Sequence, residues 1–116
     1  MLIEIPLRLH SESRFADHWT KRNKRKKAHY NIVRLYYKLN VKAPVFPPVQ
    51  ITLTRIAPRS LDYDNLVSAF KFIRDAVADL VMPGLKMGRA DEKMEFIYKQ
   101  EKKSKVYSVK IEISPM

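Results

Sequence analysis

The sequence contains no cysteine, and only two of its 116 residues are glycine. Without cysteine the chain has no disulfide framework, no thiolate metal site and no cysteine nucleophile. Two glycines are too few for a glycine-rich phosphate-binding loop. The three histidines, His10, His18 and His29, do not show metal-ligand spacing. These absences exclude several common kinds of catalytic site and leave the carboxylates as the main candidates for chemistry.

Long apolar runs are also missing. No segment approaches the roughly 20 apolar residues that a membrane-spanning helix needs. The first ten residues lack the basic region and the long apolar region that are typical of a signal peptide. We therefore expect a cytoplasmic protein that has no membrane partner.

Negative charge is scarce: 23 Lys and Arg residues stand against 12 Asp and Glu residues, which gives a formal net charge of +11. Such an excess of positive charge destabilises a compact chain through self-repulsion. A polyanionic partner would relieve this repulsion. The charge balance therefore favours binding to nucleic acid.

The order of the apolar patterns predicts one α+β domain over residues 1–116, with the elements β-α-β-α-β-β and a mixed sheet packed against two helices. Residues 2–10 and 49–57 alternate between apolar and polar side chains, which is typical of half-buried strands. Residues 93–103 and 104–114 also alternate, and we predict that they form a C-terminal hairpin. The pattern does not define the order of the strands.

Two helices are predicted from apolar residues at three- and four-residue spacing. The first runs from about Phe15 to Leu39, and proline residues after it prevent its continuation. The second follows residues 59–64. Its apolar stripe consists of Leu66, Phe70, Ile73, Val77 and Leu80.

Two aspartates, Asp62 and Asp64, lie two residues apart just before the second predicted helix. An aspartate at a helix start normally caps the helix, where it accepts from backbone N–H groups and favours the positive end of the dipole. A cap explains one of these acids better than it explains both. If residues 61–64 are extended, side chains two apart project to the same side and the carboxylates converge. Such a pair suits Mg²⁺, which binds a few carboxylates and retains several waters.

A complete metal site needs a third acid, for which the candidates are Asp75, Asp79, Asp91 and Glu92. Asp75 lies eleven residues after Asp64, about 16 Å along a helix axis and too far to share an ion. It can instead pair with Lys71, four residues earlier. We predict Asp91 as the third ligand, because a position between loop and strand is free to fold back on the helix start. Glu92 is its substitute.

Six cations lie within seven positions of the first predicted helix: Lys21, Arg22, Lys24, Arg25, Lys26 and Lys27. A solvated helix face normally mixes both charge signs, but no acid lies between Asp17 and Asp62. We predict that this basic helix contacts the phosphate backbone, with strong salt dependence and little sequence preference. A second cationic region comprises Lys99, Lys102, Lys103 and Lys105. It either reaches nucleic acid or protects an edge strand from aggregation.

The stretch LDYDNLVSAFKFIRDAV resembles the signature of RusA-type Holliday-junction resolvases, particularly their phage-borne branch. That signature has a D-x-D-N unit that opens a helix, then a lysine, an aspartate one turn beyond, and an acidic element before a strand. The matching residues here are Asp62, Asp64, Asn65, Lys71, Asp75 and Asp91. The basic helix and the Y-x-Q-x-K segment at residues 98–102 extend the resemblance over about residues 15–113. Some relatives place the lysine where this chain has Ser68, and many have two acids where it has Ala90 and Asp91.

The resemblance implies a homodimeric endonuclease that uses Mg²⁺, or Mn²⁺ as a substitute, to cut four-way DNA junctions without a small-molecule cofactor. It implies that Asp62, Asp64 and Asp91 bind the metal and that Lys71 acts at the scissile phosphate. Supporting roles fall to three further residues, Asp75, Asn65 and Glu92. The expected setting is recombination, repair or phage DNA processing in a bacterial or phage-infected cell.

Two other functions stay open on the residues alone. One is a non-catalytic nucleic-acid-binding protein, a degenerate relative in which the two aspartates only cap a helix. The other is a basic RNA-binding or ribosome-associated domain. It predicts that the chain has no divalent-metal site and does not prefer branched DNA.

Overall fold

The computed structural model describes residues 1–10, 19–83 and 93–116. Within these ranges the chain forms, in order, β1 (Leu2–Ile5), α1 (Trp19–Asn40), β2 (Val49–Ala57), α2 (Tyr63–Ala69), α3 (Lys71–Val81), β3 (Met94–Lys102) and β4 (Ser108–Pro115). The predicted α+β domain with a mixed sheet is confirmed. The predicted start of the first helix at Phe15 lies outside the described residues, and so do both glycines, Gly84 and Gly88.

The four strands form one sheet in the order β1-β4-β2-β3. β2 is parallel to β3 and antiparallel to β4, so the predicted C-terminal hairpin is wrong. β2 lies between β3 and β4, the two strands that were expected to pair, and it is hydrogen-bonded to both. The chain crosses the end of β2 in residues 103–107, where the Lys103 N–H donates to the Ala57 carbonyl at 3.1 Å.

One face of the sheet carries the core. Alternate residues of neighbouring strands lie opposite one another on this face, such as Ile3 and Ile111, or Ile51 and Ile113. The helices contribute buried residues to the same core cluster, among them Val33 of α1. The other side of the sheet presents exposed charged residues, including Glu4, Lys99 and Glu112. The fold is therefore two layers, with one sheet face solvated.

The second predicted helix is divided into α2 and α3 at Phe70, so three helices rather than two pack against the sheet. Phe70 has φ −88° and ψ 2°, and its N–H donates to the Val67 carbonyl in an i→i−3 bond. No glycine or proline marks this break, and packing of the fully buried Phe70 ring accompanies it. The apolar stripe itself was correctly predicted, since Leu66, Phe70, Ile73 and Val77 are buried and Leu80 is half-buried.

The end of β2 departs from the predicted alternation. Thr54, Arg55, Ile56 and Ala57 are all buried, because β2 is central and the crossing segment covers its last residues. Among the described helices, none combines the length and the apolar composition of a membrane span.

Candidate functional site

The two aspartates lie at the start of α2 and have different environments. Asp62 is the N-cap: its backbone is extended, with φ −67° and ψ 167°, and its Oδ1 accepts from the Asn65 N–H at 2.9 Å. Asp64 lies in the first turn of the helix. Both side chains are exposed, and Asp64 makes no hydrogen bond or ion pair with another described residue. Capping therefore accounts for Asp62 and leaves Asp64 unexplained.

The condition for strand-like convergence, an extended backbone over residues 61–64, is not met after Asp62. Because Asp62 caps the helix, α2 already begins at Tyr63, and Asp64 has helical rather than extended backbone. The two aspartates thus flank Tyr63, the first residue of α2. The helix start therefore determines how the two side chains are placed, and strand alternation does not.

The segment that leads to these aspartates is held by two neighbouring strand residues. Arg55 of β2 and Gln100 of β3 lie opposite each other in register. Gln100 accepts from the Leu61 N–H through Oε1 at 2.9 Å and donates to the Leu61 carbonyl through Nε2 at 2.7 Å. Arg55 donates through Nη1 to the Arg59 carbonyl at 2.7 Å. Residues 59–61 are therefore fixed at two points immediately before Asp62.

These two positioning roles were missed at the level of sequence. Gln100 was noted only as part of the Y-x-Q-x-K segment. Its side chain in fact hydrogen-bonds both the N–H and the carbonyl of Leu61, the residue before the acid pair. Arg55 was included in the alternating strand at residues 49–57 without a role of its own. A single arginine within the apolar stretch LTRIA was the available signal, since a buried arginine needs hydrogen-bond acceptors.

Gln100→Ala is expected to lower the free energy of unfolding by about 1–3 kcal/mol, because it leaves a partly buried N–H and carbonyl of Leu61 without partners. Gln100→Glu keeps the acceptor but loses the donor, so it should fall between the wild type and the alanine variant. Urea unfolding measures the free energy of unfolding, and amide hydrogen exchange at Leu61 reports its hydrogen bond with Gln100. Unchanged exchange at Leu61 in the alanine variant would contradict this role.

Lys71 and Asp75, predicted to act together, line one cavity of about 420 Å³. Lys71 is exposed at the first position of α3, and Ser68 lines the same cavity. Burial raises the pKa of Asp75, while the positive charges of Arg74, Lys26 and Lys71 act to lower it. Lys71 thus lines the same space as Ser68.

The third predicted ligand, Asp91, and its substitute, Glu92, lie outside the described residues. Within residues 1–10, 19–83 and 93–116, no three His, Asp or Glu side chains are grouped to hold a metal ion. Asp62 and Asp64 nevertheless suit Mg²⁺ chemically, because they offer hard oxygen donors in an exposed position where the ion can keep its waters.

The basic helix presents its cations as expected. Lys21, Arg22, Lys24, Lys26 and Lys27 are exposed and Arg25 is half-buried. Two of them also pack on aromatic rings: the Arg22 guanidinium lies 5.8 Å from the Phe72 ring centroid, and the Lys26 Nζ lies 5.8 Å from that of Tyr30. Contact with phosphate stays a prediction.

The chain matches no protein-family model, and no curated protein or solved structure is similar to it. Its own groups must therefore define what the site can do. Exposed carboxylates at a fixed helix start can bind a hard cation. A lysine with a neighbouring aspartate, and many exposed cations, can bind phosphate.

Proposed function

We propose that this chain is a Mg²⁺-dependent, structure-selective DNA endonuclease that resolves Holliday junctions by paired symmetric nicks. The observation that carries the proposal is the exposed acid pair Asp62 and Asp64, fixed at the start of α2 in a chain of net charge +11. Carboxylates on a DNA-binding surface repel phosphate unless a cation lies between them. A divalent metal reconciles these acids with a polyanionic partner.

The residues divide the chemistry of phosphodiester hydrolysis among them. Asp62 and Asp64 would hold Mg²⁺ together with Asp91 or Glu92. When bound, the ion supplies an acidified water and positive charge at the scissile phosphate. Lys71 stabilises the negative charge that develops on the phosphate oxygens. Asp75, which lines the same cavity, would attract Lys71 through its negative charge.

Two symmetric nicks in a four-way junction require two equivalent sites. A homodimer with two-fold symmetry supplies them, because each subunit then presents its acid pair to one of the exchanging strands. The proposed setting is the cytoplasm of a bacterial or phage-infected cell, in recombination, repair or phage DNA processing.

Cleavage of an end-labelled four-way junction, with linear duplex of the same sequence as control, tests the proposal. We expect paired nicks in the junction with Mg²⁺ or Mn²⁺, none with EDTA, and no comparable cleavage of the duplex. The metal dependence follows from the need to activate water and neutralise charge at phosphorus. Tight binding of the junction without cleavage in either metal would contradict the proposal.

A second candidate function is a non-catalytic nucleic-acid-binding protein. The observation that favours it is the hydrogen bond from the Asn65 N–H to Asp62, because a cap gives one of the two carboxylates a role without a metal. In this case the chain would bind nucleic acid through the basic helix, and substitutions of Asp64 would change neither binding nor stability.

A further inference from the structure

A cleft of about 700 Å³ opens at the end of β2 and is separate from the cavity that Lys71 lines. Its charged and aromatic lining comes from three separate parts of the chain: Arg8, His10, Arg55, Arg59 and Tyr107. No acidic residue lines it among the described parts of the chain. The cleft lies within the size range of pockets that hold small ligands, roughly 300–1,000 Å³.

Arg55 is the innermost of these cations, with 8% of its surface exposed. Its Nε donates to the Leu9 carbonyl at 3.0 Å and its Nη1 to the Arg59 carbonyl at 2.7 Å, so both partners are neutral. It forms no ion pair with a described carboxylate. Burial lowers the pKa of Arg55, and the charge of Arg8 lowers it further, yet a guanidinium stays protonated at neutral pH. Among the described residues this buried cation has no counterion, which is costly, and an anion in the cleft would offset that cost.

Arg8 and Arg59 complete the positive lining. The Arg8 guanidinium lies 4.5 Å from the centroid of the Tyr107 ring, which restricts it to the mouth of the cleft. Arg59 is exposed, and its backbone is fixed by the hydrogen bond from Arg55. Three arginines thus line one cleft, and the charges of Arg8 and Arg55 repel each other. Their planar donor sets match the oxygens of a phosphate group.

The position of the cleft relates it to the acid pair. Leu61 and Asn65 line the cleft, and they flank Asp62 and Asp64 in the sequence. A DNA strand carries one phosphate per 3.4 Å of helix axis. A strand bound at the acid pair would therefore have further phosphates available for the arginines, which line the adjoining cleft.

We propose that this cleft binds a backbone phosphate of the DNA strand, adjacent to the phosphate that is cut. The identity of the strand rests on the proposed function, whereas the anion site rests on the arginines themselves. The cleft adds a phosphate contact separate from the basic helix, and it holds the strand in register while the acid pair acts.

Binding measured in EDTA, where no cleavage occurs, tests the cleft independently of catalysis. A fluorescent four-way junction is titrated by anisotropy at several salt concentrations against the wild type, Arg8→Gln, Arg59→Gln and the double variant. We expect the double variant to weaken binding about tenfold and to reduce the slope of log K against log salt by about 1, the value for one phosphate. Lys42→Gln removes one positive charge, as each single arginine variant does, but at an exposed residue outside the cleft. It should change the slope by less than about 0.3.

Arg8→Lys and Arg59→Lys keep the positive charge but lose the planar guanidinium group. We expect their junction affinities to lie between those of the wild type and the glutamine variants. Arg8 and Arg59 are exposed, so circular dichroism should show unchanged folding, whereas a variant of the buried Arg55 would not be informative. If the double variant binds the junction as the wild type does, the cleft proposal is overturned, whether or not the wild type cuts DNA. Weaker binding of an RNA duplex alone, with DNA binding intact, would also overturn it. If the wild type binds but never cuts, a weakened double variant supports the cleft while the endonuclease function fails.

Discussion

Asp64→Asn is expected to lower the rate of Mg²⁺-dependent junction cleavage by about 100- to 1,000-fold, since losing a metal ligand removes several kcal/mol of transition-state stabilisation. The fold should be unaffected, because the carboxylate is exposed and has no hydrogen bond or ion pair with the described residues. Junction binding in EDTA should be equal or slightly tighter, as one negative charge is removed near phosphate. Single-turnover cleavage, anisotropy and thermal unfolding measure these three quantities.

Two comparisons make this result specific. Asp79→Asn removes an equally exposed carboxylate of α3 and should leave cleavage within about twofold of the wild type, a difference of less than roughly 0.5 kcal/mol. Asp62→Ser removes a carboxylate but keeps a capping oxygen, whereas Asp62→Ala also removes the cap and costs about 0.5–2 kcal/mol of stability. If Asp62→Ser loses cleavage but keeps its stability, Asp62 acts as a metal ligand in addition to capping the helix. Wild-type cleavage by Asp64→Asn would exclude the acid pair from catalysis.

Phe70→Ala should lower the free energy of unfolding by about 3–5 kcal/mol, a large part of the 5–15 kcal/mol typical of a domain. Phe70 is fully buried at the junction of α2 and α3, and its ring centroid lies 6.0 Å from that of Tyr98. Truncation removes apolar burial and leaves a cavity between the helices and β3. Urea unfolding measures the loss, and Phe46→Ala, at a side chain that is 77% exposed, is the matched control with an expected change within about 0.5 kcal/mol.

The same substitution should also reduce cleavage. α2 has only seven residues, too few to be stable without tertiary packing, so the acid pair at its start depends on Leu66, Ala69 and Phe70. Where Phe70→Ala is still folded, we expect weaker cleavage and faster amide exchange in α2. A urea midpoint equal to that of the wild type would show that Phe70 does not hold the two helices together.

Local patterns predicted the elements of this fold but not their pairing. The stripe from Leu66 to Val77 was predictable, because helical spacing directly specifies a buried face. The break at Phe70 was not, since the chain has no glycine or proline there and packing determines it. The hairpin prediction failed for a related reason: alternation in β3 and β4 shows that both are strands, but not that β2 separates them. Pairing between distant residues has no local signature.

Only part of the candidate site was predictable from local spacing in the sequence. The spacing of Asp62 and Asp64 before a helix identified the acid pair, and helical spacing linked Lys71 to Asp75. The contacts of Gln100 with the Leu61 backbone depend on the register of β2 and β3, and the contact of Arg55 with the Leu9 carbonyl joins distant parts of the chain. The sequence contains these residues but not that register, so the arginine cleft emerged only from the fold.

The place of β3 and β4 in the sheet affects when the site forms during synthesis. A ribosome releases Asp62 and Asp64 well before Gln100, the residue that fixes the backbone leading to them. It releases β4 later still, although β4 lies between β1 and β2. Such non-local pairings form slowly and only after the late strands are available. Under the proposed function, we therefore expect incomplete chains not to cut DNA, and cleavage to begin only once the whole sheet has assembled.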